Sequence, residues 1–253
     1  MLDTTQNFVI VVATVVCSLI FVLVLNRTWP AAKRRAHNEL IGWQLSVLGT
    51  TYAVMMGFML YTVWTNMGAA EVTTEAEANG VVNVYRLAEG LPEPQRTQMK
   101  ETARRYADVV LQHDWPDMAV AFDGNLKSAP VNTEMWQILM SVKGASPTEI
   151  TAEDHALYEL SDLTGRRRIR QLQSTSRLPG VLWFVLLLGG MTTIVSSSMF
   201  GGSNGWLHAF QVSALSLLIA MVLVAIADID RPYQGSVHVA DTAFRRAQAN
   251  MKE

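Results

Sequence analysis

A single cysteine, Cys17, is all that the chain carries. No disulfide can close within it, no cysteine cluster can hold a metal, and the redox compartment leaves no mark. Charge is scarce too: 17% of the 253 residues are Asp, Glu, Lys or Arg, against about a quarter in soluble domains. The 20 basic and 22 acidic residues nearly cancel, to a net −2. No basic patch with interleaved aromatics is present, which argues against a nucleic-acid partner. The five histidines (His37, His113, His155, His208 and His238) are scattered, without the spacing of metal ligands. No HExxH, P-loop or dinucleotide-binding fingerprint occurs. The sequence therefore reads as neither an enzyme nor the holder of a metal or cofactor.

What is present is apolar sequence gathered into blocks. Half of the residues are hydrophobic. Residues 8–25 are apolar apart from Thr14 and Ser18. A signal peptide is the first alternative there, but Asp3 precedes the run, no Lys or Arg does, and no small-x-small cleavage site follows. A retained first membrane helix is the expectation. Residues 40–70 contain no Lys, Arg, Asp or Glu, enough to cross a hydrocarbon core of roughly 30 Å at roughly 1.5 Å per residue. Trp43 and Trp64 bracket this run as interfacial anchors would. Residues 178–227 are again free of those four types. That length suits two spans, with the Ser- and Gly-rich residues 196–204 as the turn and Asp228, Asp230, Arg231 and Pro232 stopping the second. The expected fold is all-α: a polytopic membrane protein with four transmembrane helices, over residues 8–25, 41–65, 179–198 and 206–227. A helical extramembrane domain, residues 71–177, separates the second from the third. Residues 230–253 form a soluble tail with a short helix over 241–251.

Within the middle domain, Met99, Ala103, Tyr106, Val110 and His113 fall on one face of a predicted helix over 94–113, and Glu101 and Arg105 make an i,i+4 pair. Asp114-Trp115-Pro116 is expected to end that helix, because the residue before proline is pushed out of the helical region. Asn132 is expected to cap a short helix through Met135, Ile138 and Leu139. Ser146-Pro147-Thr148-Glu149 spells a capping box with proline at the first helical position, opening a helix to about Ser174. No alternating β-branched run argues for a strand.

The side of the membrane is contested by the positive-inside rule. The first connection holds Arg27, Lys33, Arg34 and Arg35. The domain side holds Arg166, Arg167, Arg168, Arg170 and Arg177 before the third span and Arg231 after the fourth. Six against four favours a cytoplasmic middle domain, while the first helix, whose positive flank follows it, argues the other way. The arginines of the domain side would form a membrane-proximal collar able to meet anionic lipid headgroups.

Two faces separate within residues 40–70. Gln44, Thr51, Met55, Phe58, Thr62 and Asn66 lie within about 40° of one line at about 100° per residue. Ser46, Thr50, Ala53 and Gly57 follow another, a small-residue seam on which a neighbouring helix is expected to pack. The first face reads in two ways. One is a helix–helix interface whose Thr hydroxyls bond back to their own carbonyls, the simpler reading from periodicity alone. The other is a pore stripe with polar ends and a hydrophobic constriction at Met55, Phe58 and Thr62. Glu71, Glu75 and Glu77, just past this run, are either a solvated face or an acidic vestibule that concentrates cations. Residues 71–165 hold sixteen acids against seven Lys/Arg, which gives the vestibule reading its basis. Gly201-Gly202-Ser203-Asn204-Gly205 formally matches the G-x-S-x-G nucleophile elbow, but that chemistry needs a strand–turn–helix context, and the match falls in a turn between two spans.

His37-Asn38-Glu39, Tyr52-Ala53, Gly57-Phe58, Glu75-Ala76, Tyr85-Arg86, Asp114-Trp115-Pro116, Arg177-Leu178-Pro179 with Leu182-Trp183, and Asp228-Ile229-Asp230-Arg231-Pro232-Tyr233 with Gly235 together resemble the pattern of the bestrophin-like family of bacterial and plant membrane proteins. The likeness spans nearly the whole chain. It implies an ion channel, a homo-oligomer (a pentamer in bestrophins) around a pore lined by the second membrane helix, in a bacterial inner (plasma) membrane. Its partners would be the lipid bilayer and inorganic ions. The resemblance raises the pore reading of the Gln44–Asn66 face level with the interface reading. Bestrophin neck residues do not match this sequence one by one. A membrane scaffold or sensor whose helical domain binds a partner and conducts nothing is the alternative. A membrane hydrolase using Ser203 is a third reading.

Overall fold

The structure is a computed structural model and describes residues 4–120, 126–144 and 146–252. Among the described residues there are helices and no strands. In chain order the helices are α1 (Thr4–Thr28), α2 (Ala31–Arg34), α3 (Asn38–Leu87), α4 (Gln95–Val109), α5 (Trp115–Ala119), α6 (Ser128–Met140), α7 (Pro147–Thr175), α8 (Gly180–Ser198), α9 (Gly205–Ile229) and α10 (Thr242–Asn250). Four stretches, carrying α1, α3, α8 and α9, are long and apolar enough to cross a membrane. Such segments must be helical in lipid, because every backbone N–H and C=O has to be satisfied within the segment. Proline sets several limits. Pro30 follows the end of α1, and Pro179 stands at the start of α8. Residues 38–87 contain no proline, and α3 runs unbroken for 50 residues.

The chain divides into two compact units: Met1–Thr65 with Arg177–Asp230, and Asn66–Ser176 with Arg231–Glu253. In the first unit Tyr52, Met56, Leu186 and Ile219 form the core. The Tyr52 hydroxyl donates to the Leu186 carbonyl at 2.9 Å, and its ring lies against α8. A Cβ at Gly189 would stand 2.6 Å from the ring, and one at Gly190 would stand 2.8 Å from the hydroxyl oxygen. Close approach therefore uses the glycine pair of α8. The seam of α3 expected to pack does not: Ser46, Thr50, Ala53 and Gly57 are exposed, and no atom lies within 4 Å of a Cβ built at Gly57. Small residues permit approach without driving it. The larger Tyr52, Met56 and Val63, a line to one side of the seam, are what the chain buries. Ala53 and Gly57 instead border an apolar cleft of about 300 Å³ with α8 and α9.

Arg34 is fully buried in this unit. Its guanidinium donates to the Ser198 carbonyl at 2.7 Å and to the Asn26 side chain. These are the C-terminal ends of α8 and α1, whose unpaired carbonyls carry negative potential. Asn38 brackets Gly201, accepting its N–H at 2.8 Å and donating to its carbonyl at 3.2 Å. A Cβ at Gly201 would meet the backbone of Ala31 and Arg35 at 2.7 Å. Asn204 caps α9 by accepting the Trp206 N–H. The G-x-S-x-G match is thus a tight helix–helix turn. Ser203 is exposed, and the His208 ring contacts the Ser197 carbonyl at 3.3 Å.

The second unit has its own core, built from Val81 and Val84 of α3, Ala88 just beyond it, Met99, Ala103 and Tyr106 of α4, Met135 and Leu139 of α6, Leu160 and Leu163 of α7, and Phe244 of α10. The Ser146–Glu149 capping box forms in full. Several local expectations give way to tertiary partners. Arg105 pairs with Glu134 of α6 rather than with Glu101. Asn132 lies inside α6, and its amide donates to the Thr164 hydroxyl at 3.0 Å. The short helix expected over 241–251 forms as α10, and residues 231–252 pack into the second unit, where Phe244 and Met251 are fully buried. The chain also stays helical through Asp114-Trp115-Pro116. Residues Val110–Asp114 widen into a π turn, and α5 follows with proline in its first turn, where the missing N–H costs nothing. At this turn Asp114 is fully buried while His113, expected on the inner face, is exposed.

Candidate ion pathway

The apolar face of α3 is used up by its own unit along Tyr52, Met56 and Val63. The Gln44–Asn66 face lies about a quarter-turn away at about 100° per residue. Gln44, Thr51, Phe58 and Asn66 are exposed, and Met55 and Thr62 are half-buried. Phe58 keeps 65% of its surface exposed. The Thr62 hydroxyl donates to the Phe58 carbonyl at 2.8 Å, so its proton is directed into the helix and its face is drier than the residue type implies. The stripe is therefore uncharged, semi-polar at both ends, apolar in the middle, and largely left uncovered by the helices of its own chain.

The three glutamates beyond it separate. Glu71 is exposed. Glu75 is half-buried and pairs with Arg246 of α10 at 3.0 Å. Glu77 does not stand with them: it is fully buried in the second unit. Arg170 Nε donates to Glu77 Oε2 at 2.7 Å and its Nη2 to Oε1 at 3.0 Å, a bidentate pair. Tyr106 donates to the same Oε1 at 2.7 Å. Arg170 Nη2 also reaches Asp114 Oδ2 at 3.2 Å, while Asp114 Oδ1 accepts the Ser128 N–H at 3.2 Å. The Phe244 ring lies over the guanidinium, 5.7 Å from Cζ to centroid. One turn before Glu77, the Thr74 hydroxyl meets that of Tyr233 at 3.1 Å.

The electrostatics follow from burial. Burial works against the Arg170 charge, but Glu77, by charge and hydrogen bonding, and Asp114 outweigh it and hold the guanidinium above its ordinary range. Burial, with the Glu77 charge behind it, pushes Tyr106 well above the usual phenol value and keeps it a donor. Burial likewise pushes Tyr233 up to about 12. Two arrays hold this cluster. Ala70, Thr74, Glu77, Val81 and Val84 are all buried on α3, as are Ala156, Leu160, Leu163, Arg170 and Ser174 on α7. The first runs at helical 4-3 spacing, and the second keeps the same face with one two-turn step from Leu163 to Arg170. A charged residue interrupting each array was the signal available in the sequence. Reading Glu77 with its neighbouring acids and Arg170 with its neighbouring arginines passed over it.

Among the described residues no group of three or more His, Cys, Asp or Glu side chains is placed to hold a metal.

A family model, the Bestrophin-like domain, matches residues 12–244. Among solved structures, a point variant of a bacterial bestrophin homologue from Klebsiella pneumoniae aligns with a TM-score of 0.74 at 12% identity, covering 98% of this chain and 100% of that one. A point variant described as a membrane protein aligns at 0.73 and 10% identity, over 94% and 95% of the two chains. A further Klebsiella pneumoniae homologue structure aligns at 0.64 and 11% identity, over 96% of each. At such identities the likeness is one of fold. Among proteins of curated function, none matches the sequence.

Proposed function

The chain belongs to the Bestrophin-like family, and from that premise we propose that it is an oligomeric ion channel whose pore is lined by α3. The observation that carries this reading is the Gln44–Asn66 stripe: an uncharged face, apolar in its middle and largely uncovered by its own chain, on a helix able to span the bilayer. Copies arranged around an axis would bring these faces together. Met55, Phe58 and Thr62 would then form the constriction, and Gln44, Thr51 and Asn66 its wetter ends. Glu71 and Glu75 would border the mouth and favour cations. Glu77, being buried, has no part in that vestibule.

Purified protein in planar bilayers should pass current, with a reversal potential in a salt gradient that favours cations. Silence of pure, oligomeric protein across voltages and salts would reject the channel and leave the non-conducting scaffold or sensor as the reading.

The membrane is the bacterial inner membrane in this proposal, with the second unit on the cytoplasmic side. A single cysteine at Ala119, in a chain whose exposed Cys17 is replaced by serine, should resist an impermeant thiol reagent in intact cells and react after lysis. Labelling in intact cells would put the unit outside.

A further inference from the structure

We propose that a second, larger cleft, between α1, α8 and α9, is a binding site for one acyl chain of a membrane phospholipid. The cleft measures about 660 Å³, and its walls all belong to the first unit. Its depth follows from one contact. The Ser18 hydroxyl of α1 meets that of Ser216 of α9 at 3.0 Å, which sets the start of α1 level with the end of α9. Ile10, Trp183 and Ala227 line the cleft near the start of α1, the start of α8 and the end of α9. One end of the cleft therefore lies at a membrane boundary, with Trp183 placed as an interfacial anchor would be. From Ile10 to Phe21 along α1 the lining runs about 16 Å at about 1.5 Å per residue. That is about half of a hydrocarbon core of roughly 30 Å, the depth of one leaflet.

The lining selects hydrocarbon. Among the described residues no Asp, Glu, Lys, Arg or His lines the cleft. The Thr14 hydroxyl donates to the Ile10 carbonyl at 2.8 Å, and the Ser18 hydroxyl lies 2.8 Å from the Val15 carbonyl as well as against Ser216. With these hydroxyls engaged inside the protein, a polar ligand would give up hydrogen bonds on entering, whereas an acyl chain has none to lose. Apolar surface alone gives no driving force in a bilayer, because the surrounding tails are equally apolar. Three walls do: a chain in the cleft gains dispersion contacts from α1, α8 and α9 at once, against the entropy lost on ordering it. The Tyr52 contact of α3 falls on Leu186 and Gly189, about a third of a turn round α8 from Trp183, Leu187 and Ile194 of the cleft. Copies that meet through the α3 stripe, the assembly proposed above, would thus leave the cleft turned towards lipid. Its floor is shared with α3. A Cβ at Gly190 would stand 2.8 Å from the Tyr52 hydroxyl and 3.2 Å from Ile219, and Gly190 and Ile219 both line the cleft. A bound chain braces from behind the residues on which α3 packs.

Photolabelling reads the site. The protein is reconstituted in dioleoyl phosphatidylcholine vesicles containing a phosphatidylcholine with a diazirine towards the end of one acyl chain, and adducts formed on illumination are mapped by peptide mass spectrometry. Met191 lines the cleft and Met221 does not, while their exposures are nearly equal, 58% and 55%. Passing lipid would therefore label the two alike. A held chain should label Met191 about fivefold more than Met221, equivalent to about 1 kcal/mol of preference. Ala13→Phe and Cys17→Phe, at exposed positions on the cleft wall, each fill the cleft and should bring the ratio towards one, provided circular dichroism and size-exclusion profiles match the parent. Equal labelling in the parent would mean surrounding lipid only and overturn the proposal. Met191 labelled less than Met221 would put a second copy of the chain over the cleft and overturn it too, as would a preference that survives both folded substitutions. Conductance of the same preparations is read separately: silence with the Met191 preference intact rejects the channel and keeps the lipid site.

Discussion

Arg170→Met should destabilise the second unit by about 3–5 kcal/mol, the usual result of removing one partner from a buried ion pair. For a unit of this size that corresponds to a fall of roughly 10–20 °C in apparent melting temperature. The reason is that Glu77 and Asp114 stay behind, both fully buried. Among the described residues, Glu77 loses two of its three donors, keeping Tyr106, and Asp114 keeps the Ser128 N–H. Methionine fills much of the volume under Phe244, so the loss is electrostatic rather than a cavity. Adding Glu77→Gln and Asp114→Asn to the same chain removes the stranded charges and should return part of the lost stability. Thermal unfolding of purified protein, followed by circular dichroism, reads both. A single variant melting within about 2 °C of the parent would mean that water or another cation reaches these carboxylates, since one pKa unit of uncompensated charge already represents about 1.4 kcal/mol.

Phe58→Ala should raise single-channel conductance if the stripe of α3 lines the pore. Phe58 is the largest apolar side chain on that face, and the adjacent Thr62 directs its proton into the helix at 2.8 Å, leaving little there to hold water. A narrow apolar ring resists ions by excluding water. Cutting the ring residue to a methyl widens and wets it, and lowering that barrier by about 1 kcal/mol raises passage roughly fivefold. Trp64→Ala is the control. Trp64 is 60% exposed but lies well round the helix from the stripe, so its truncation should leave conductance nearly unchanged. Equal effects of the two substitutions would show that α3 presents a different face to the ion.

The apolar stretches, the capping box and the overall helicity were legible because each rests on information within a few residues or within one composition window. A segment able to cross a membrane is recognised by length and absence of charge, and Ser146 finds Glu149 three positions away. The helical end expected at Trp115-Pro116 failed for a physical reason: a wide turn placed proline where its missing N–H is harmless. The seam of α3 failed because small residues only allow packing, and the neighbouring Tyr52 line had more apolar surface to bury.

What the sequence by itself determined is that the chain is helical and carries four segments able to cross a bilayer, and that one of them has an uncharged, semi-polar face. Only the tertiary structure decided which face of α3 its own chain covers, that residues 231–252 belong to the second unit, and that Glu77 is an interior residue. A carboxylate is buried only when donors arrive to replace water. The donors of Glu77 come from Tyr106 and from Arg170, 29 and 93 residues along the chain, beyond the reach of any local pattern.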